Sequence, residues 1–182
     1  MKRQKLLNLL DQHQPFDDNE QQMLAKMIDF VRVNSDCFER SLNIGHITGS
    51  AWIMDKAHEN VLLMHHRKLN RWFQPGGHTD GQSDVLAVAL KEAQEETGLA
   101  EIEILSSSIF DIDIHLIPEN PKEAAHYHYD IRFLFVANVN SPLQINAESK
   151  NLSWVKLNEV SLYNNSESIL RMVQKSLLFH KL

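Results

Sequence analysis

Apolar residues recur at helical spacing in four parts of the chain and at strand spacing in the stretches between them. Leu6, Leu7, Leu9 and Leu10 predict a short amphipathic helix over residues 3–13. Beyond Pro15, Asp17 or Asp18 caps a second helix over residues 19–32, with Met23, Leu24, Met27, Ile28 and Val31 facing inward. β-branched and aromatic residues predict strands over 44–55 and 61–69, joined through the turn KAHEN as a hairpin. Two further strand regions, 102–118 and 126–139, flank the polar loop ENPKEAA. A last strand covers 152–157, and a closing helix over 166–178 carries Ile169, Leu170, Met172, Val173 and Leu177. The expected fold is an α/β/α sandwich, a mixed sheet with helices on its faces. Residues 1–43 then form an N-terminal helical extension braced on the core, and residues 44–182 the main domain with its C-terminal helix. A dimer contact (a homodimer) or part of the substrate pocket are the alternative roles of the extension.

The fourth helix lies in the middle of the chain and carries chemistry. Leu86, Ala89, Leu90, Ala93 and Thr97 share one face, Ser83 or Asp84 is the N-cap, and Gly98 fits the left-handed position past the end. Glu92, Glu95 and Glu96 form a second stripe at i, i+3 and i+4. Like charges at i, i+4 cost an isolated helix about 0.2–0.5 kcal/mol per pair. Lys91 pairs with Glu95, but one cation does not neutralise three anions. A hard divalent ion does, and oxygen ligands on one face suit Mg²⁺ or Mn²⁺, which share their shell with phosphates. The plain alternative is a solvated acidic face. Against it, Val85 and Val88 lie on the same side, and a Pro75-Gly76-Gly77 turn just upstream can present its backbone to the same place.

A net charge of −6 disfavours nucleic-acid binding through phosphates, while a metal-held polyphosphate stays compatible with it. A single cysteine, Cys37, excludes an internal disulfide and a cysteine-based zinc cage. No apolar run approaches a membrane span, and the start MKRQKLLNLLDQHQ is too short and polar for a signal peptide, so a cytoplasmic location is expected.

Ten histidines are many for this length, and His65, His66, His78, His115, His126 and His128 fall near the expected site. Alternation in HYHYDIRF puts His126, His128, Asp130 and Arg132 on one face. Three readings compete: half-exposed strand positions, zinc ligands converging from neighbouring strands, or a pocket in which histidines with Arg132 and Arg67 or Lys68 bind phosphate or a base. His78, directly after Gly77, ranks first for a site role. Trp72 and Phe73 are read as core aromatics.

The stretch from Gly77 to Leu99 resembles the signature of the Nudix hydrolases: Gly, five residues, Glu, seven residues, Arg-Glu-hydrophobe-any-Glu-Glu-any-Gly-hydrophobe. Gly77, Glu92, Ala93, Glu95, Glu96, Gly98 and Leu99 match, whereas Ser83 stands for the Glu and Lys91 for the Arg. In the family those two side chains support the loop and orient the carboxylates, so both departures fall on one structural pair. The resemblance covers roughly residues 46–160. It implies metal binding by Glu92, Glu95, Glu96 and the Gly77 carbonyl, with Glu148 completing the site or activating water. It further implies metal-dependent hydrolysis of a diphosphate linkage in a nucleoside diphosphate derivative, Glu92 or Glu148 taking the proton of water. Two rivals keep the fold without hydrolysis. A nucleotide-sensing module is kept open by Ser83 and Lys91. An isopentenyl diphosphate isomerase relative would need a pocket cysteine, and Cys37 precedes the core domain.

Overall fold

The computed structural model describes residues 2–121 and 123–179. Its central strand, β1 (Gly45–Asp55), is buried at every position. It runs parallel to β7 (His126–Ala137) in unbroken register from Gly45 opposite Tyr127 to Asp55 opposite Ala137. Antiparallel to β7 lie β6 (Asp111–Ile117) and the short β5 (Glu103–Ile104). On the other side, β2 (Asn60–His66) meets β1 at Met54 and Val61, as the expected hairpin, and then pairs along its length with β8 (Ser149–Lys156). The short β3 (Arg71–Phe73) and β4 (Gly76–His78) add to β2 and β1 respectively.

Helices cover both faces of this mixed sheet. Helices α1 (Gln4–Gln12), α2 (Asp18–Val33) and α3 (Val85–Thr97) share a core with Ile47, Ala51, Ile53, Ile131, Phe133 and Phe135. Asp17 caps α2 by accepting from the Glu20 amide at 2.7 Å. After a 3-10 turn and the short α4 (Val160–Tyr163), α5 (Glu167–Phe179) packs Ile169, Met172 and Val173 on Trp52, Met54, Leu63 and Leu134 of the opposite face. The α/β/α sandwich is therefore present. No helix among the described residues is long and apolar enough to cross a membrane.

Several local expectations change. The Pro-Gly-Gly segment is not a free turn, because Gly76–His78 pairs with Thr48–Ser50 as strand β4. The region 102–118 is split into two strands by residues 105–110. The second strand stops at His66, where the Asn70 amide turns back to the His66 carbonyl at 2.9 Å. The last strand begins earlier than its apolar pattern suggests, at Ser149. Of the polar loop ENPKEAA, Lys122 lies outside the described residues.

On the face that α5 covers at Trp52, the register builds polar rows farther along the strands. His46 stands opposite His128, and His128 opposite His115. Next come Thr48, Asp130 and Asp113, then Ser50, Arg132 and Asp111. Such rows tolerate burial only if their polar atoms find partners. Arg132 does so completely, donating to Asp130 at 2.8 Å, Asp111 at 3.0 Å and Asp113 at 3.1 Å. Asp111 also receives Arg171 and Lys175 from α5, and Lys175 reaches Glu20 of α2 at 2.6 Å.

Candidate active site

Helix α3 begins where the Asp84 carboxylate accepts the Ala87 amide and ends at Gly98, whose φ of 73° is the left-handed cap. Its approach to β1 is close: a Cβ on Gly49 would lie 2.9 Å from the Val85 carbonyl oxygen. That contact sets the rotation of the helix. Val85, Val88, Ala89, Ala93 and Thr97 are buried, while Leu86 and Leu90 of the expected apolar face are only half-buried. Glu96 turns inward with them and is 4% exposed.

The three carboxylates thus span a gradient from interior to solvent. Glu96 accepts the Gly76 amide at 2.9 Å, a bond that fixes its orientation against β4. The Glu92 side chain, 21% exposed, sits over Gly77, and the Glu95 side chain is 57% exposed. Lys91 bridges the last two, with its ammonium 3.1 Å from Glu95 and 3.5 Å from Glu92. Burial, with Glu92, Glu148 and Glu95 nearby, pushes the Glu96 carboxyl up to about 8 despite the Gly76 amide. Burial likewise raises Glu92, assisted by Glu95 and Glu148 and opposed by Lys91. Among the described residues Lys91 is the one cation at ion-pair distance from these carboxylates, an electrostatic setting that suits a divalent cation.

Gly77 is a cradle for that cluster. A Cβ at Gly77 would stand 2.5 Å from the nearer Glu92 carboxylate oxygen, so any side chain there displaces Glu92. Gly77→Ala should therefore lower turnover at least about 100-fold, in line with misplacing a group at a preorganised site, while the fold is retained. Unchanged kcat with an intact far-ultraviolet spectrum would contradict the placement of Glu92.

Glu148 reaches the same cluster from the loop before β8, and its charge acts on both Glu92 and Glu96. Two devices shape that loop. The Asn146 side chain accepts the Glu148 amide at 2.8 Å and donates to the Glu95 carbonyl at 3.4 Å. The Arg67 guanidinium donates to the Ala147 and Ser149 carbonyls, and the Arg67 amide to the Glu148 carbonyl. Arg67, expected to contact substrate, is thus engaged as the clamp that holds the Glu148 loop.

The remaining expected residues lie apart from the carboxylates. Arg132 is 3% exposed, and its three aspartate partners hold it away from any phosphate. Its guanidinium is thus engaged by aspartates on the sheet rather than presented beside Glu92, Glu95 and Glu96. His78 and His128 face the polar side of the sheet, because Gly77 points to α3 and its neighbour in the strand points the other way. Their rings lie 5.0 Å apart, and His46 lies 5.1 and 4.9 Å from them. Burial and mutual proximity lower all three, His46 to about 4 and His128 to about 2. Sequence reasoning missed His46. The signal was its alternation with Thr48 and Ser50 in β1, the same two-residue period that revealed His128. Cys37 is fully buried, and burial pushes its thiol up to about 11, so it is no nucleophile. A cleft of about 630 Å³ between α1, residues 106–110 and α5 is separate from the carboxylates.

The model of the NUDIX domain matches residues 46–175. Among solved structures, an Ap4A hydrolase from C. elegans is 18% identical, the match covering 74% of this chain and 97% of that one at a TM-score of 0.60. A NUDIX-family hydrolase from Clostridium perfringens is 22% identical over 74% of this chain and 97% of that one, at 0.57. A MutT protein from Methanosarcina mazei Go1 is 18% identical over 78% and 99%, at 0.55. At these identities the likeness establishes the fold. No curated protein matches the chain.

Proposed function

Because this chain belongs to the NUDIX-domain family, we propose that it is a divalent-metal-dependent hydrolase of a diphosphate linkage in a nucleoside diphosphate derivative. The observation that carries this reading is the burial of Glu96 beside Glu92, Glu95 and Glu148, where Lys91 is the one cation at ion-pair distance among the described residues. The donor set is all oxygen and crowded to one side, the set Mg²⁺ or Mn²⁺ prefers. Glu92, Glu95, Glu96, Glu148 and the Gly77 carbonyl would hold the ion or ions. A bound ion would supply charge neutralisation for the phosphates and a lowered pKa for the attacking water.

The chain's own residues do the positioning. The Gly76 amide locks the Glu96 carboxylate, and the absent side chain of Gly77 leaves Glu92 its place. Lys91 draws Glu95 toward Glu92. Arg67 and Asn146 hold the loop from which Glu148 projects. Glu92 and Glu148 are the candidates for accepting the water proton, one half-buried on the helix and one exposed on the loop. The name of the C. elegans relative points to dinucleoside polyphosphates as one substrate class to try. The isomerase alternative loses its nucleophile, since Cys37 is buried and its thiol raised.

Metal binding should depend on pH with a definite sign. A carboxyl at 4.5 in the unfolded chain and about 8 in the metal-free fold makes the native state the better proton binder between those values. Metal-free stability therefore falls as pH rises through that window. The ion needs the ionised form, so its stabilisation of the fold grows over the same window and levels off above it. The rise in unfolding midpoint caused by millimolar Mg²⁺ or Mn²⁺ should be larger at about pH 8.5 than at about pH 6.5. No shift at either pH, or an equal one, would contradict the assignment of Glu96.

A further inference from the structure

We propose that His46, His78 and His128 form a second metal site, for a borderline transition ion of the Zn²⁺ type, on the sheet face opposite α3. Among the described residues these three alone bring one ligand atom each from three His, Cys, Asp or Glu side chains to within 4.8 Å of one another. The backbone builds the constellation. His46 and His128 are cross-strand neighbours on β1 and β7, and His78 stands opposite Thr48, one row along on the adjoining β4. Three strands therefore converge their imidazoles on one point.

The independent observation is a set of orphaned nitrogens. Both ring nitrogens of His46 and the Nε2 of His128 are buried without a hydrogen-bond partner. A buried polar atom left unpaired is costly, and a bound ion would satisfy one nitrogen of each ring. Asp130, farther along the same face, is matched by Thr48, Ser50 and Arg132. Of the five buried side-chain atoms without a partner among the described residues, three are nitrogens of these imidazoles, the others being Gln74 Oε1 and Trp154 Nε1. Zinc bonds imidazole at about 2.0–2.1 Å, which places ligand nitrogens roughly 3.3 Å apart in a tetrahedron. The ligand nitrogens, within 4.8 Å of one another, would close to that spacing around a bound ion.

The surroundings fit as well. His126 and His115 flank the three, with ring centres 5.0 Å from His46 and 5.5 Å from His128 respectively. The His126 Nδ1 is tied to the Ala124 carbonyl at 2.9 Å, and the His115 Nδ1 to Asp113 at 3.1 Å, bonds that orient rings beside the ion. Three protein ligands leave a fourth position open for water or an anionic oxygen, the pattern of reactive rather than purely structural zinc sites. Imidazole donors distinguish this site from the carboxylates: one selects borderline ions, the other Mg²⁺ or Mn²⁺. The two are joined by β4, whose Gly77 faces Glu92 and whose His78 faces the histidines.

Cobalt(II) titration of metal-free protein tests this without reference to hydrolysis. The wild-type chain should take up one equivalent with the intense visible band of a low-coordinate, nitrogen-ligated ion. That band should persist in the Glu92→Gln, Glu95→Gln, Glu96→Gln triple variant. It should be lost in His46→Ala and in His128→Ala, with affinity down by more than about 100-fold, beyond the effect of an outer-shell partner. Should those variants fail to fold, X-ray absorption of zinc-loaded wild-type protein decides, with three imidazoles expected in the first shell. Only weak octahedral absorption, a band that survives His46→Ala, a band lost in the glutamate variant, or a zinc shell of carboxylates would overturn the proposal. Failure of hydrolysis with an intact cobalt band would count against the carboxylate reading alone.

Discussion

Asp111→Asn should lower the unfolding free energy by about 3–5 kcal/mol, the range for breaking a buried ion pair from one side. At about 2–4 °C per kcal/mol for a chain of this size, the midpoint should fall by roughly 6–20 °C. Asp111 is fully buried and receives four bonds, from Arg132 at 3.0 Å, Arg171 at 2.8 and 3.0 Å, and Lys175 at 2.7 Å. Asparagine keeps one accepting oxygen and turns the other into a donor aimed at cations. The three cations are themselves almost wholly buried, so water cannot take over. Glu20 shares the load through His13 and Lys175. Burial would raise its carboxyl, but those two partners outweigh it and hold it at about 2. Its contribution is complete above the unfolded value of 4.5 and is lost as pH falls toward 2. Thermal unfolding of the wild type and Asp111→Asn at neutral pH is the measurement, and a difference below about 1 kcal/mol would mean that the network adds little.

Glu96→Gln should reduce kcat by about 100–1,000-fold, the scale seen when one preorganised electrostatic group at a reacting centre is removed. The substitution keeps side-chain volume and an oxygen for the Gly76 amide, so the fold should survive. It could even be stabilised without metal, because the buried carboxyl that resists ionisation is gone. A large loss of turnover with equal or higher metal-free stability is a combination that a merely structural glutamate does not give. Retained turnover would remove Glu96 from the site.

These two residues illustrate what local pattern reveals. The stripe of Glu92, Glu95 and Glu96, its capping Asp84 and its terminal Gly98 are all readable within one helix, because helix geometry acts over a few residues. The sandwich itself follows from periodicity in the same way. Arg132 is the opposite case. Its alternation with His128 and Asp130 is visible, but its partners Asp111 and Asp113 come from another strand, and the Arg171 and Lys175 that share Asp111 with it come from the last helix. No local spacing pairs them, and an arginine in a strand near a phosphate signature reads as a ligand until those partners are seen. Pro75-Gly76-Gly77 misleads for a related reason. Glycine there does not serve a turn; it makes room for Glu92 at Gly77 while the backbone pairs with β1, a tertiary demand that overrides the turn propensity. The N-terminal helices are legible as helices, but the ion pair that ties Glu20 of α2 to Lys175 spans most of the chain and no local pattern shows it.

The central claim, metal-dependent hydrolysis at the α3 carboxylates, is tested most directly by one assay. Phosphate-bearing products are followed for the wild-type chain on nucleoside triphosphates, nucleoside diphosphate conjugates and dinucleoside polyphosphates. Each is run with Mg²⁺, with Mn²⁺ and with excess chelator. The account predicts cleavage of a diphosphate linkage in at least one class, faster as pH rises toward about 8 and abolished by chelator. No cleavage of any class with either metal, or cleavage that persists in chelator, would contradict it.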